Sequence, residues 1–74
     1  MLYGRAGCHL CDDALAVLER VRMRMPFALE QRDIETDAEL FKRYLERIPV
    51  VAIDGVDAFE LFVDEHEFER CLRK

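Results

Sequence analysis

No stretch of the 74-residue sequence approaches the ~20 apolar residues that a membrane-spanning helix requires. No run of lysine or arginine exceeds two residues, and the formal net charge is −5. A nucleic-acid binder needs a basic face against phosphates, so that class is excluded. The alternating Arg20, Arg22 and Arg24 spread around a helix and read as a solvated face. The first residues lack the basic and apolar regions of a secretory signal, so the cytoplasm is the expected compartment. Three cysteines are an odd count, which excludes a complete disulfide framework. Glycine occurs three times and proline twice, and no linker, internal repeat or low-complexity segment is present.

What remains is an ordinary globular composition, 51% hydrophobic and 36% charged. Apolar residues run along the whole length, which argues against disorder. Residues 1–74 are enough for one domain and not two. A chain this short buries only about 60% of the surface its unfolded form exposes, so its stability is modest.

Met1-Leu2-Tyr3 reads as a short strand and Gly4 to Gly7 as a turn. From about Cys8 to Met25 the spacing of Leu10, Ala14, Leu15, Leu18, Val21 and Met25 builds one helical stripe. Pro26 ends that helix. Phe27 to Arg32 is expected to form a second strand, and Asp33 to Glu35 a connector. Thr36 and Glu39 match a capping box opening a helix that turns Leu40, Phe41, Tyr44 and Leu45 inward. Ile48 to Ile53 is a β-branched run, Asp54-Gly55 a hairpin turn, and Asp57 to Phe62 the return strand. Asp64 and Glu67 open a last helix carrying Phe68, Cys71 and Leu72 inward. The order β-α-β-α-β-β-α implies a four-stranded mixed sheet flanked by three helices: parallel across the first crossover, antiparallel in the final hairpin.

Cys8-His9-Leu10-Cys11 falls where the first strand gives way to the first helix. Free amides and the partial positive charge of a helix start stabilise a thiolate there. Cys8 is then a competent nucleophile, and Cys11, in the same turn, can close a disulfide with it. Cys8 is expected to be the exposed attacker and Cys11 the more buried resolver. His9, when protonated, favours the thiolate, or else faces solvent. Asp12 and Asp13 suit the helix start electrostatically. Cys71 reads as a buried structural thiol, and His66 as a surface residue.

The stretch Tyr3-Gly4-Arg5-Ala6-Gly7-Cys8-His9-Leu10-Cys11, with Asp33-Ile34, Ile48-Pro49-Val50 and the Asp54-Gly55 turn, resembles the glutaredoxin-like branch of the thioredoxin superfamily. It is similar in this to short bacterial glutaredoxin-like proteins. The resemblance implies a thioredoxin-like fold and thiol-disulfide oxidoreductase activity through Cys8 and Cys11. It implies a cis peptide bond at Pro49, with Ile48 and Pro49 facing the dithiol where a substrate backbone pairs. It places Arg5 where many glutaredoxins carry a basic residue that favours the thiolate and meets a glutathione carboxylate. Two features depart from the family. His9 replaces the proline after the first cysteine. Glu60-Leu61-Phe62-Val63-Asp64 stands where a glycine pair and acidic residues hold glutathione. Glutathione is thus a possible co-substrate rather than an implied one, and no bound cofactor is expected. A reductase partner is the other possible electron donor.

The partners expected are protein or small-molecule disulfides, with no nucleic acid and no membrane, and the chain is expected to be a monomer. The competing reading is a soft-metal-binding module or metallochaperone using Cys8 and Cys11. Such domains usually end in a strand, whereas this chain ends in a helix and offers only His9 as a nearby further ligand, so no metal site is expected.

Overall fold

The computed structural model describes residues 1–73. Strand β1 (Leu2–Gly4) leads into helix α1 (His9–Arg24), then β2 (Gln31–Asp33), a 3₁₀ turn (Ile34–Thr36), α2 (Ala38–Tyr44), β3 (Val50–Ile53), β4 (Val56–Glu60) and α3 (Glu65–Leu72). The strands lie in the order β2-β1-β3-β4. β1 runs parallel to β2 and antiparallel to β3, and β3 is antiparallel to β4. This is the thioredoxin-like α/β arrangement, a mixed sheet with three helices.

The pleat divides the core between the two faces of the sheet. Leu2 and Val51 pack with Ala14, Leu18 and Val21 of α1 and Phe68 of α3. Tyr3 and Val50 point the other way, into a cluster with Ile34, Tyr44, Ile48, Cys11 and Cys8. Ring stacking of Tyr3 on Tyr44, centroids 4.7 Å apart, ties α2 to the sheet. Arg20 and Arg24 of α1 both bond Glu65 of α3, at 3.0 and 2.8 Å.

Several boundaries differ from the sequence reading. The second strand is only Gln31–Asp33, all three residues exposed, because Phe27 and Leu29 pack on the core from irregular backbone rather than from a ladder. α2 is capped by Asp37, whose carboxylate accepts from the amides of Glu39 and Leu40. Thr36 instead donates its hydroxyl to the Asp33 carbonyl. An aspartate one residue later competed successfully for the cap. Leu45 follows α2 and is 37% exposed rather than buried. Leu10 is half exposed, and Cys11 takes its place in the buried stripe with Ala14, Leu18 and Val21. Cys71 is only partly buried, beside Ile53, Val56 and Ala58 at the far end of β3.

Candidate active site

Cys8 is the N-cap of α1. Its backbone is extended, and its sulfur accepts the amide proton of Cys11 at 3.1 Å. A capping role usually filled by a serine or aspartate oxygen is here filled by sulfur. One more turn of chain brings the Cys11 sulfur within bonding distance of Cys8. The pair is joined as a disulfide, with Cα atoms 5.2 Å apart, inside the range that such bridges span. Cys8 is partly exposed, whereas Cys11 is buried. The thiols therefore differ in access, and Cys8 is also the one whose charge an amide would stabilise.

Two glycines allow this turn. Gly7 sits at φ +77°, a left-handed backbone that side chains resist. Gly4 ends β1 directly beneath the pair: a Cβ there would stand 3.0 Å from the Cys11 sulfur and 3.2 Å from its Cβ. In the sequence Gly4 is turn-like, and no local signal announces the contact.

The register places Pro49 at the same end of the sheet. Tyr3 pairs with Val50, so the next residues along, Gly4 and Pro49, adjoin each other. Gly4 in turn touches Cys11. The Ile48–Pro49 peptide bond is cis, and Ile48 packs in the cluster that holds both cysteines. On the other side of Pro49, its carbonyl accepts the Leu61 amide at 2.9 Å.

Arg5 pairs with Glu35 at 3.6 Å and lines a cleft of about 390 Å³ with Gly4, Cys11, Asp12 and Arg32. It is thus engaged with a carboxylate rather than with the cysteines. His9 is exposed on the first turn of α1, and His66 is exposed on α3. Glu60 is paired with Arg47, whose hydrogen bond holds its carboxyl below the usual carboxylate range. Its charge is therefore compensated. Asp64 caps α3 by accepting the Glu67 amide at 3.0 Å. Among the described residues no group of three or more His, Cys, Asp or Glu side chains is placed to hold a metal ion.

A helix-capping cysteine, disulfide-bonded to a buried cysteine one turn on, is a redox arrangement. The family model described as Glutaredoxin-like domain (DUF836) matches residues 1–73. The chain belongs to this glutaredoxin-like family. No curated protein matches it. The glutaredoxin-like domain contains no described helix long and apolar enough to cross a membrane.

Proposed function

We infer that the protein is a thiol-disulfide oxidoreductase. The reading rests on one observation above all: Cys8 caps α1 with its sulfur while Cys11, buried behind it, is close enough to bond it. The reduced Cys8 thiolate, favoured by the Cys11 amide and the helix start, attacks one sulfur of a substrate disulfide. A Cys8–substrate disulfide forms, and one substrate thiol leaves and takes up a proton. The Cys11 thiolate then attacks the Cys8 sulfur. The second substrate thiol leaves, and the Cys8–Cys11 disulfide closes. The substrate gains two electrons and the dithiol loses two. Ile48 and Pro49, at the end of β3 beside Gly4, supply the edge along which the substrate backbone lies. His9 and Arg5 act as supporting residues at most, since Arg5 is shared with Glu35.

A thiol donor or a reductase partner returns the pair to the dithiol. Glutathione has little support in that role: the stretch Glu60 to Asp64 lacks the glycine pair that typical glutaredoxins carry there. A soft-metal role has less support, because two thiols without a third donor make an incomplete ligand set. The test is single-turnover reduction of a small aromatic disulfide by the reduced protein. Cys8→Ser is expected to abolish the reaction, and Cys11→Ser to stop it at a mixed disulfide on Cys8. Wild-type rates from Cys8→Ser would contradict the reading.

A further inference from the structure

Leu61 has a left-handed backbone, φ 69°, without being glycine or asparagine. The Phe62 amide donates back to the Glu60 carbonyl at 2.8 Å, so Leu61 is the centre of a three-residue turn with positive φ. That is the rarer and more strained kind of γ-turn. Its result is exposure: Leu61 is 48% exposed and Phe62 70% exposed. Single apolar residues on a surface are unremarkable, but two adjoining ones held out by a strained turn call for an explanation. The turn is fixed to the redox site, because the Leu61 amide donates to the Pro49 carbonyl at 2.9 Å and to the Arg47 carbonyl at 3.2 Å. Leu10, between the two cysteines, is also half exposed.

The charges near the redox site are of both signs, so the apolar turn is what distinguishes one ligand from another. Arg47 is engaged by Asp57 and Glu60, and Arg5 by Glu35. Asp12 and Asp13, on the first turn beyond Cys11, are exposed and have no ion-pair partner among the described residues. Arg32, which lines the cleft with Cys11 and Asp12, is exposed and likewise has no ion-pair partner among the described residues, so charge of either sign is on offer beside the dithiol. A segment with large apolar side chains meets a complementary surface at Leu61 and Phe62.

We propose that Leu61 and Phe62 are specificity-determining residues that select protein disulfides whose cysteine lies in an extended, apolar segment. This deepens the oxidoreductase reading and rests on it. The substrate backbone lies along Ile48–Pro49, and a neighbouring apolar side chain covers the Leu61–Phe62 turn.

The test uses the reduced full chain in single turnover against three probes. Two are symmetrical peptide disulfides of equal length and positive charge, one with leucine and one with serine flanking the cysteine. The third is oxidised glutathione. The leucine-flanked peptide is expected to half-saturate the protein at roughly tenfold lower concentration than the serine-flanked one, the scale of withdrawing much of a phenyl ring from water. Phe62→Ser is expected to erase that advantage and leave the limiting rate unchanged. Leu61→Asn, which tolerates the left-handed backbone, is expected to weaken the preference without lowering the melting temperature. Equal half-saturation of the wild type by both peptides, or an equal loss toward both in Phe62→Ser, would overturn the selectivity alone. Failure to reduce any of the three probes would overturn the oxidoreductase reading with it.

Discussion

A Cβ on Gly4 would stand 3.0 Å from the sulfur of Cys11, so the last residue of β1 sets how deep the second thiol sits. The backbone of Gly4 cannot retreat, because it pairs with Asp33 of β2. Gly4→Ala therefore moves the sulfur by a few tenths of an ångström. Closure of the Cys8–Cys11 disulfide is expected to slow several-fold, short of the ~100-fold that a 1 Å misplacement can cost. The first step, attack by Cys8, keeps its rate. Trapping the mixed disulfide by acid quench separates the two steps, and equal slowing of both would contradict this role for Gly4.

Tyr44 predicts an alkaline limit to stability. Its hydroxyl lies 3.2 and 3.3 Å from the two Asp57 oxygens. Burial, then the bond to Asp57, pushes the phenol above its usual value near 10. A group raised on folding stabilises fully below its unfolded value, and that contribution is lost as pH rises through the folded one. Stability is expected to fall above about pH 10. Tyr44→Phe is expected to flatten that slope and cost about 1 kcal/mol at neutral pH. Urea denaturation across the alkaline range measures both.

Glu65 predicts the opposite limit. Hydrogen bonds from Arg24 and then Arg20 hold its carboxyl below the ordinary value of 4.5. A depressed group stabilises above its unfolded value, and that contribution fades as pH falls through the folded one. The bridge is exposed, so Glu65→Gln is expected to lower the melting temperature only slightly and to remove part of the acid-side loss. Thiol reactivity should not change, since the bridge joins α1 and α3 on the face away from Tyr44.

Leu18 is 1% exposed at the centre of the α1 stripe. Leu18→Ala is expected to cost about 2–5 kcal/mol. A domain of this length has only roughly 4–11 kcal/mol in all. Chemical denaturation should show a large fall in midpoint, with partial unfolding at physiological temperature.

Order and pairing of the elements were legible in the sequence because apolar periodicity and turn residues are local. The α1 stripe, the Asp54-Gly55 turn and the Asp64 cap all follow from such patterns, and the structure has them. Errors arose where tertiary context decided. Phe27 and Leu29 alternate like a strand, yet they pack partly buried against the core without pairing. Asp37 outcompeted Thr36 for one helix cap. At the site, the cysteine spacing was visible, but the packing of Gly4 beneath Cys11 and the positive φ of Leu61 were not. Both depend on strands that meet only in the folded sheet. Nor did the sequence disclose that Arg47 neutralises Glu60, since those residues are joined only by the β3–β4 register.

The central claim is that Cys8 and Cys11 form one reversible two-electron couple with Cys8 as the attacking sulfur. Equilibration of the whole chain against graded dithiol buffers, with alkylation of free thiols and mass analysis, tests it directly. The account predicts a single transition between Cys8–Cys11 disulfide and dithiol, Cys71 alkylated throughout, and in Cys11→Ser a mixed disulfide on Cys8. A pair that stays reduced or oxidised across the whole series, or an adduct forming first on Cys11 in Cys8→Ser at comparable rate, would contradict it.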